Sequence, residues 1–423
     1  MDPREWGIYH MDGGNQSIPR FSIFCKEKIA LVSAKDVVIE WLLGSTADIK
    51  SRIGPIWAIV KGPFIVPVLR TALIICLILS FLLFVEWVHM MLLAAIAELF
   101  RKKPAKRYKR EPMKDDLENG VVDFPMVLVQ IPLYNEIEVY KISIGAACNL
   151  SWPADRLVIQ VLDDSTDLVI KAGALKEGLK RDYVQACEYV AIFDADFQAE
   201  PDFLQKVNPF LVHNPEIGLV QARWRFVNAD ECFLTRMQEM SLDYQFVIEE
   251  GGGSSIHSFF SFNGSGGIWR IAPINEAGGW NERTTVEDMD LAVRAGLKGW
   301  KFVYLGDVQA YRSRQHRWSC GPANLFRKMV VGIAKNKEVS IWTKFYMIYN
   351  FFFIRKIVGT MFTFFFYCVV LPLVSLMPEV DVPKWGAIVA TFIIATINTL
   401  AATPRSIHLA VPWVLFENIM SFH

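Results

Sequence analysis

The chain has 423 residues, 52% of them apolar types, and a formal net charge of zero. That length suits two or three domains, and that apolar content is high for a purely soluble enzyme. Charge balance leaves no electrostatic footprint for nucleic acid. Cysteines stand at Cys25, Cys76, Cys148, Cys187, Cys232, Cys320 and Cys368 with no Cys-x-x-Cys pair, so neither a zinc site nor a disulfide framework is indicated. The thiols are expected to be free and mostly buried.

Residues 1–65 contain no assignable element. Asp2, Arg4, Glu5 and Arg20 interrupt the start, and no apolar core resembling a cleaved signal peptide is present there. A first span is predicted over residues 66–98. Thr71–Val85 is uncharged, and Val66–Leu69 and Trp87–Ala97 extend it across Arg70 and Glu86. Together they supply the roughly 20 mostly apolar residues that a spanning helix needs. A buried core helix is the alternative. Trp87 and the basic cluster Arg101, Lys102, Lys103, Lys106, Arg107, Lys109 and Arg110 favour the span, with 99–120 as a basic juxtamembrane linker.

Residues 121–320 predict an α/β domain. The short apolar runs Met126–Gln130, Val158–Leu162, Val190–Phe193, Leu219–Gln221 and Phe302–Tyr304 suit buried strands, and helical stretches such as Ala174–Arg181 and Cys232–Ile248 lie among them. This alternation predicts a parallel, doubly wound sheet with ligands beyond the C-terminal strand ends. Interfacial helices are expected over 321–356, and further spans over 357–377 and 385–403, separated by Glu379 and Asp381. Residues 407–423 suit a partial or interfacial helix. Arg355, Lys356, Arg405 and the basic linker put the α/β region on the cytosolic side by the positive-inside rule. So few spans, without paired broken helices, disfavour a transporter.

The chemistry-bearing residues sit at strand ends. Asp163 and Asp164 follow one strand, and Asp194 and Asp196 follow another. Side chains at i and i+2 of an extended segment point the same way. Two carboxylates so placed suit a divalent ion with oxygen ligands, Mg2+ or Mn2+, which can neutralise a leaving diphosphate; acidic pairs also occur in plain turns. Asp288 in Thr285-Val286-Glu287-Asp288 is a general-base candidate, and equally an N3 acid of a helix capped by Thr285. In Arg314-Gln315-His316-Arg317-Trp318, Arg317 suits diphosphate and Trp318 offers a flat face to a sugar ring. Lys171 beside small residues suits a phosphate. The Phe262–Gly267 loop allows close backbone approach. Gly251–Gly253 suits a hinge or flexible loop, and His213 and His257 are taken as structural or surface residues.

The order DDS, DAD, TxED and HRW between apolar segments resembles the processive β-glycan synthases. Longer strings resemble the plant cellulose-synthase-like A group, the mannan and glucomannan synthases: QIPLYNE (Gln130–Glu136), SIGAACNLSWPADR (Ser143–Arg156), KAGALKEGLKR (Lys171–Arg181), and, further on, YVAIFDADFQ, RMQEMSLDY, RTTVEDMDLAVRA and QHRWSCGPANLFRKM. The resemblance implies a GT-A-like nucleotide-sugar-binding domain between transmembrane helices and a multi-pass Golgi location. It also implies GDP-mannose as donor, GDP-glucose as second donor, a β-mannan acceptor, and association with itself or other synthases. Carried over, Asp164 with Asp163 contacts the nucleotide, Asp194 reaches the ribose or diphosphate, and Asp194 and Asp196 serve the metal. Asp288 is the base on the acceptor O4, Arg317 holds diphosphate, and Trp318 the acceptor end. Asp164 and Asp288 are thus the expected catalytic pair. Two departures stand out. Arg314 occupies the place of the family glutamine, and Ile170 runs straight into Lys171 where relatives carry a further helix and strand, with a shorter loss between Val308 and Arg314. Residues 1–52 lack a family match. An active synthase and a catalytically impaired relic or non-catalytic membrane partner of other synthases therefore both remain open. The KAGALKEG and RMQEMSLDY strings disfavour a xyloglucan-backbone synthase.

Overall fold

The computed structural model describes residues 61–99, 107–113, 124–133, 140–163, 171–282, 284, 286–312, 321–362, 364–383 and 390–420. The chain divides into two units between Val68 and Leu69, within the first long helix, and the contacts given below all lie in Leu69–His423.

Helix α1 (Val66–Leu99) is apolar on all sides, which suits either a core or a bilayer. Ile74, Ile78 and Phe81 are each more than half exposed, so this is not a buried core helix. Among the described residues, Lys61–Ile96 is the one stretch long and apolar enough to cross a membrane.

The chain then alternates: β1 (Val127–Leu133), α2 (Tyr140–Cys148), β2 (Leu157–Asp163), α3 (Lys171–Leu179), β3 (Tyr189–Ile192), β4 (Gln198–Ala199), α4 (Phe203–His213), β5 (Ile217–Phe226) and α5 (Phe233–Tyr244). A π-helical turn, Gln245–Glu250, joins α5 to α6 (Gly251–Ile256). There follow β6 (Gly267–Arg270), α7 (Ile271–Glu276), α8 (Glu287–Leu297), β7 (Lys301–Arg312), α9 (Gly321–Lys335) and α10 (Ile341–Phe345). Beyond these lie π-helical segments Tyr346–Phe362 and Phe365–Val370, then α11 (Leu371–Ser375), α12 (Ala390–Ala402), a 3-10 segment Pro404–Leu409 and α13 (Ala410–Met420).

Seven strands form one sheet in the order β2-β1-β3-β6-β5-β7-β4. β1 runs parallel to β2 and β3, and β5 parallel to β7. The expected all-parallel sheet is corrected to a mixed one: β6 is antiparallel to both β3 and β5, and β4 to β7. The reversal has a local cause. Gly264 and Gly266 have φ of 75° and 70°, so the chain turns at the end of β3 and re-enters the sheet backwards. Gly267 pairs with Ile192, the last residue of β3. The turn is therefore held at the C-terminal ends of the parallel strands.

The core is aromatic. Trp224, Trp269, Phe193, Phe197, Phe203, Phe246, Phe259, Phe260 and Phe302 are essentially fully buried. One polar pair lies within it: Gln130 of β1 donates through Nε2 to Gln160 Oε1 of β2 at 2.8 Å. Their amides also reach α3, Gln130 to the Leu175 carbonyl at 3.3 Å and Gln160 to that of Gly178 at 3.0 Å. Buried amides cost free energy unless bonded, so these contacts set where α3 docks. Gly178 permits the approach, since a Cβ there would stand 2.6 Å from both Gln130 Nε2 and Gln160 Oε1.

Two expectations change here. Gly251–Gly253 is neither loop nor hinge but begins α6; a Cβ on Gly253 would lie 2.6 Å from the Phe259 carbonyl and 2.7 Å from the Tyr346 hydroxyl, so glycine serves close packing. The thiols are free, but Cys148, Cys232 and Cys368 are exposed, with only Cys76 and Cys187 buried among the described residues.

The apolar runs predicted at 357–377 and 385–403 contain shorter apolar helices, Phe365–Ser375 and Ile393–Ala402; residues 363 and 384–389 lie outside the described residues. Polar contacts tie α1 to this C-terminal part of the chain, one of them within Ile393–Ala402 and the others at Glu379 and Asn350. Arg70 donates to the Glu379 carbonyl at 2.7 Å, Trp87 Nε1 to Asn398 Oδ1 at 2.6 Å, and His89 Nδ1 lies 3.0 Å from Asn350 Nδ2. The last helices clasp α5. Trp413 Nε1 donates to Ser241 Oγ at 2.9 Å, Thr403 Oγ1 to Asp243 Oδ2 at 3.1 Å, and Arg405 pairs with Glu239. Asp243 also pairs with Arg223 of β5.

Candidate active site

The acidic pair after β3 is fixed by the residues flanking it. Phe193 and Phe197 are both buried and stack at 4.8 Å, and Phe203 meets Phe193 edge-on at 5.5 Å. Such aromatic pairs add about 0.5–1.5 kcal/mol beyond their area. The two anchors hold the short connection between them, so Asp194 and Asp196 are presented from a rigid base. Asp196 is 9% exposed. The Asp194 backbone N–H donates to Ser265 Oγ at 3.0 Å, tying this connection to the glycine turn.

Lys171 is the first residue of α3, so the glutamine pair that docks α3 also sets its place. Its ammonium is ion-paired with Asp194 Oδ1 and donates to the Gly264 carbonyl at 2.9 Å. Gly264 meets Asp288 on its other side: a Cβ there would lie 3.0 Å from Asp288 Oδ2 and 3.4 Å from Lys171 Nζ. Three predicted residues, Lys171, Asp194 and Asp288, thus converge on one glycine.

Asp288 lies in the first turn of α8, but as the second helical residue rather than the third. The cap position is Val286 without a side-chain cap bond, and Thr285 lies outside the described residues. Asp288 Oδ1 accepts from the Met289 N–H at 2.7 Å, leaving Oδ2 toward Gly264. Burial and the neighbouring Glu287 carboxylate push Asp288 up to about 7, with Lys171 opposing and Asp194 adding to the rise. A carboxyl titrating near neutrality within reach of a lysine is suited to proton transfer.

Asp163 ends β2, exposed, beside Leu133 of β1. Asp164 lies outside the described residues, as do Arg314, Arg317 and Trp318, to which β7 leads. His213 is half-buried with Nε2 3.2 Å from the Glu111 carbonyl, and His257 stacks on Tyr346 at 4.0 Å; both have structural surroundings. Sequence reasoning singled out the Phe262–Gly267 loop for close backbone approach but missed what its side chains do: Ser265 is fully buried, and Asn263 joins Gln245 and Glu250 behind the turn. The alternating glycines at 264 and 266 were the available signal for the turn. Nothing in the spacing pointed to Glu250.

The profile of the family described as Glycosyl transferase family group 2 matches residues 189–404, from the start of β3 to just past α12, so the class is that of sugar-transferring enzymes. Glucomannan 4-beta-mannosyltransferase 2 of Arabidopsis thaliana is 59% identical across 431 aligned positions, covering 93% of this chain and 80% of its own length. Glucomannan 4-beta-mannosyltransferase 1 of Oryza sativa subsp. japonica is 55% identical, covering 87% of this chain and 78% of its own. The chain belongs to the glucomannan 4-beta-mannosyltransferase family. Among solved structures, the mannosyltransferase PcManGT from Pyrobaculum calidifontis in complex with GDP-Man and Mn2+ is similar at 16% identity and a TM-score of 0.45, covering 80% of this chain and 99% of that one.

Proposed function

We propose that this chain is a membrane-bound inverting glycosyltransferase that moves mannose from GDP-mannose to the O4 end of a growing β-1,4-mannan or glucomannan chain. The observation that carries this is the convergence of Asp288, Lys171 and Asp194 on Gly264. Asp288 takes the proton from the acceptor O4 hydroxyl as the O4–C1 bond forms. The C1–oxygen bond to the diphosphate breaks, and GDP leaves with that electron pair. Attack opposite the leaving group converts an α-linked donor into a β linkage in one displacement. Lys171 meets charge developing on the diphosphate. Asp163 and Asp164 bind the nucleotide, Arg317 the diphosphate and Trp318 the acceptor end, as the family motifs imply within a GT-A-like domain.

Asp194 and Asp196 would hold Mg2+ or Mn2+. Their oxygens are hard donors that suit either ion. One or two carboxylates suffice for such an ion, because Mg2+ keeps several waters and takes its remaining oxygens from substrate phosphates. When bound, such an ion neutralises charge on the leaving diphosphate.

The family and the charge bias support a multi-pass Golgi protein with spans over 66–98, 357–377 and 385–403, a cytosolic catalytic face, and GDP-glucose as a second donor. Microsomes bearing the chain should incorporate mannose from GDP-mannose into mannanase-sensitive polymer, and Asp196→Ala should not.

One observation favours a second reading, a catalytically impaired member or a non-catalytic partner of other synthases. The alignment of 431 positions exceeds the 423-residue chain, so the relative carries internal residues without counterpart here. β2 forms an edge of the sheet just before residues 164–170, where the sequence places the larger loss. Well-expressed, membrane-inserted protein that incorporates no mannose but co-purifies with an active synthase would establish that reading instead.

A further inference from the structure

Behind the Gly264 turn lies a set of polar contacts that the transfer reaction does not itself use. Gln245 and Glu250 open and close the π-helical turn after α5, a feature that recurs at functional sites. Both reach Asn263. Gln245 Nε2 donates to Asn263 Oδ1 at 3.0 Å and to Glu250 Oε1 at 3.5 Å, and Asn263 Nδ2 donates to Glu250 Oε1 at 2.5 Å. Glu250 is 2% exposed, so its carboxylate depends on such donors. Asn263 directly precedes Gly264, whose carbonyl holds Lys171 and whose bare Cα faces Asp288.

We propose that Glu250, acting through Asn263, is a positioning residue for sugar transfer, fixing the turn on which Lys171, Asp194 and Asp288 meet. The proposal rests on the transferase reading above. The far side of the turn is pinned by the sheet: Gly266 N–H donates to the Ile192 carbonyl at 2.9 Å, and Gln221 Nε2 to the Ser265 carbonyl at 3.0 Å. The near side enters through Asn263. With that side chain bound to Gln245 and Glu250, the Gly264 carbonyl is kept toward Lys171. Released, the near side can shift, and a displacement of about 1 Å among reacting groups costs on the order of a hundredfold in rate.

The test uses the full chain in membranes as wild type, Asn263→Asp, Glu250→Gln and the double variant. Asn263→Asp replaces the donor facing Glu250 with a second carboxylate oxygen, and like charges repel. The double variant restores a donor facing an acceptor, with the charge moved to the other partner. Expected is a fall in kcat of about a hundredfold in Asn263→Asp, with KM for GDP-mannose changed only by about twofold, and recovery of most of that loss in the double variant. Glu250→Gln alone keeps an acceptor for Asn263 and should lose less. Wild-type kcat in Asn263→Asp, or a double variant as impaired as that single one, overturns the proposal.

A second readout needs no turnover. Acylation of Lys171 by an amine-reactive ester, read by mass spectrometry, should be slow in wild type, faster in Asn263→Asp and slow again in the double variant. Lys206, ion-paired with Glu200 and Asp202, should label alike in all and so reports folding. If both lysines label fast in Asn263→Asp, Asn263→Ala takes its place: Lys171 should then label faster than in wild type and stay fast when Glu250→Gln is added, since alanine offers no partner to restore. Equal Lys171 rates throughout overturn the positioning role even where wild type transfers no mannose, an outcome that counts instead against the transferase reading.

Discussion

If Asp288 is the base, transfer must be lost as pH falls through its titration. Burial and Glu287 hold it at about 7. On that value the carboxylate is about one-tenth formed at pH 6 and nine-tenths formed at pH 8, so kcat/KM for GDP-mannose should rise roughly tenfold across that interval. A carboxyl at its ordinary value near 4 would change by about a hundredth over the same range. The assay is initial incorporation into mannanase-sensitive polymer at subsaturating donor, from about pH 5.5 to 8.5, which reports the free enzyme. Asp288→Asn should reduce the rate at pH 8 by roughly a hundredfold or more and abolish the acidic limb. The same carboxyl also bears on stability. A folded-state value raised above the unfolded one near 4 means that ionisation opposes folding. The penalty is absent below about pH 4, grows toward pH 7 and is complete above it. Asp288→Asn should therefore melt at the wild-type temperature in acid and above it at pH 8, by an amount corresponding to at most a few kcal/mol. A flat rate profile, or a variant less stable than wild type at pH 8, would refute this reasoning.

Gly264→Ala would place a methyl 3.0 Å from Asp288 Oδ2 at a φ of 75°. Backbone strain of about 1–2 kcal/mol should leave a folded chain whose transfer rate falls at least tenfold; wild-type kinetics would contradict the geometry. Asp243→Ala would leave Arg223 buried and uncompensated and remove the Thr403 contact, which should destabilise the chain by about 3–5 kcal/mol in thermal melts. Asp155→Ala, which removes an exposed carboxylate beside the half-buried Arg156, should cost less than about 1 kcal/mol.

Legibility followed length and pattern. The five predicted strands all exist, because buried runs such as Val127–Ile131 leave little else for the chain to do; three keep close to their expected bounds, while those expected at Leu219–Gln221 and Phe302–Tyr304 run on to Phe226 and Arg312. β4 and β6 have two and four residues, too short to show a period, and without β6 the sheet could only be taken as parallel. The acidic pair was legible, and its phenylalanine anchors explain why it is rigid. What brought Lys171 and Asp288 to it was not legible. That depends on Gln130 and Gln160 docking α3 and on two positive-φ glycines turning the chain, and both are tertiary facts. Gly251–Gly253 shows the same limit from the other side. Three glycines in a row signal freedom until Phe259 and Tyr346 are seen to need the space.

Helix α5 has a double allegiance. Glu239, Ser241 and Asp243 bind the C-terminal helices, and the turn that follows carries Gln245 and Glu250. On the membrane reading, the bilayer bears on α12 and α13, with mismatch costing fractions of a kcal/mol per Å. Any tilt imposed there reaches Asp243 first and Gln245 a half-turn later. On that same reading, lipid thickness would bear on the reaction through one helix, like a thumb on a balance beam.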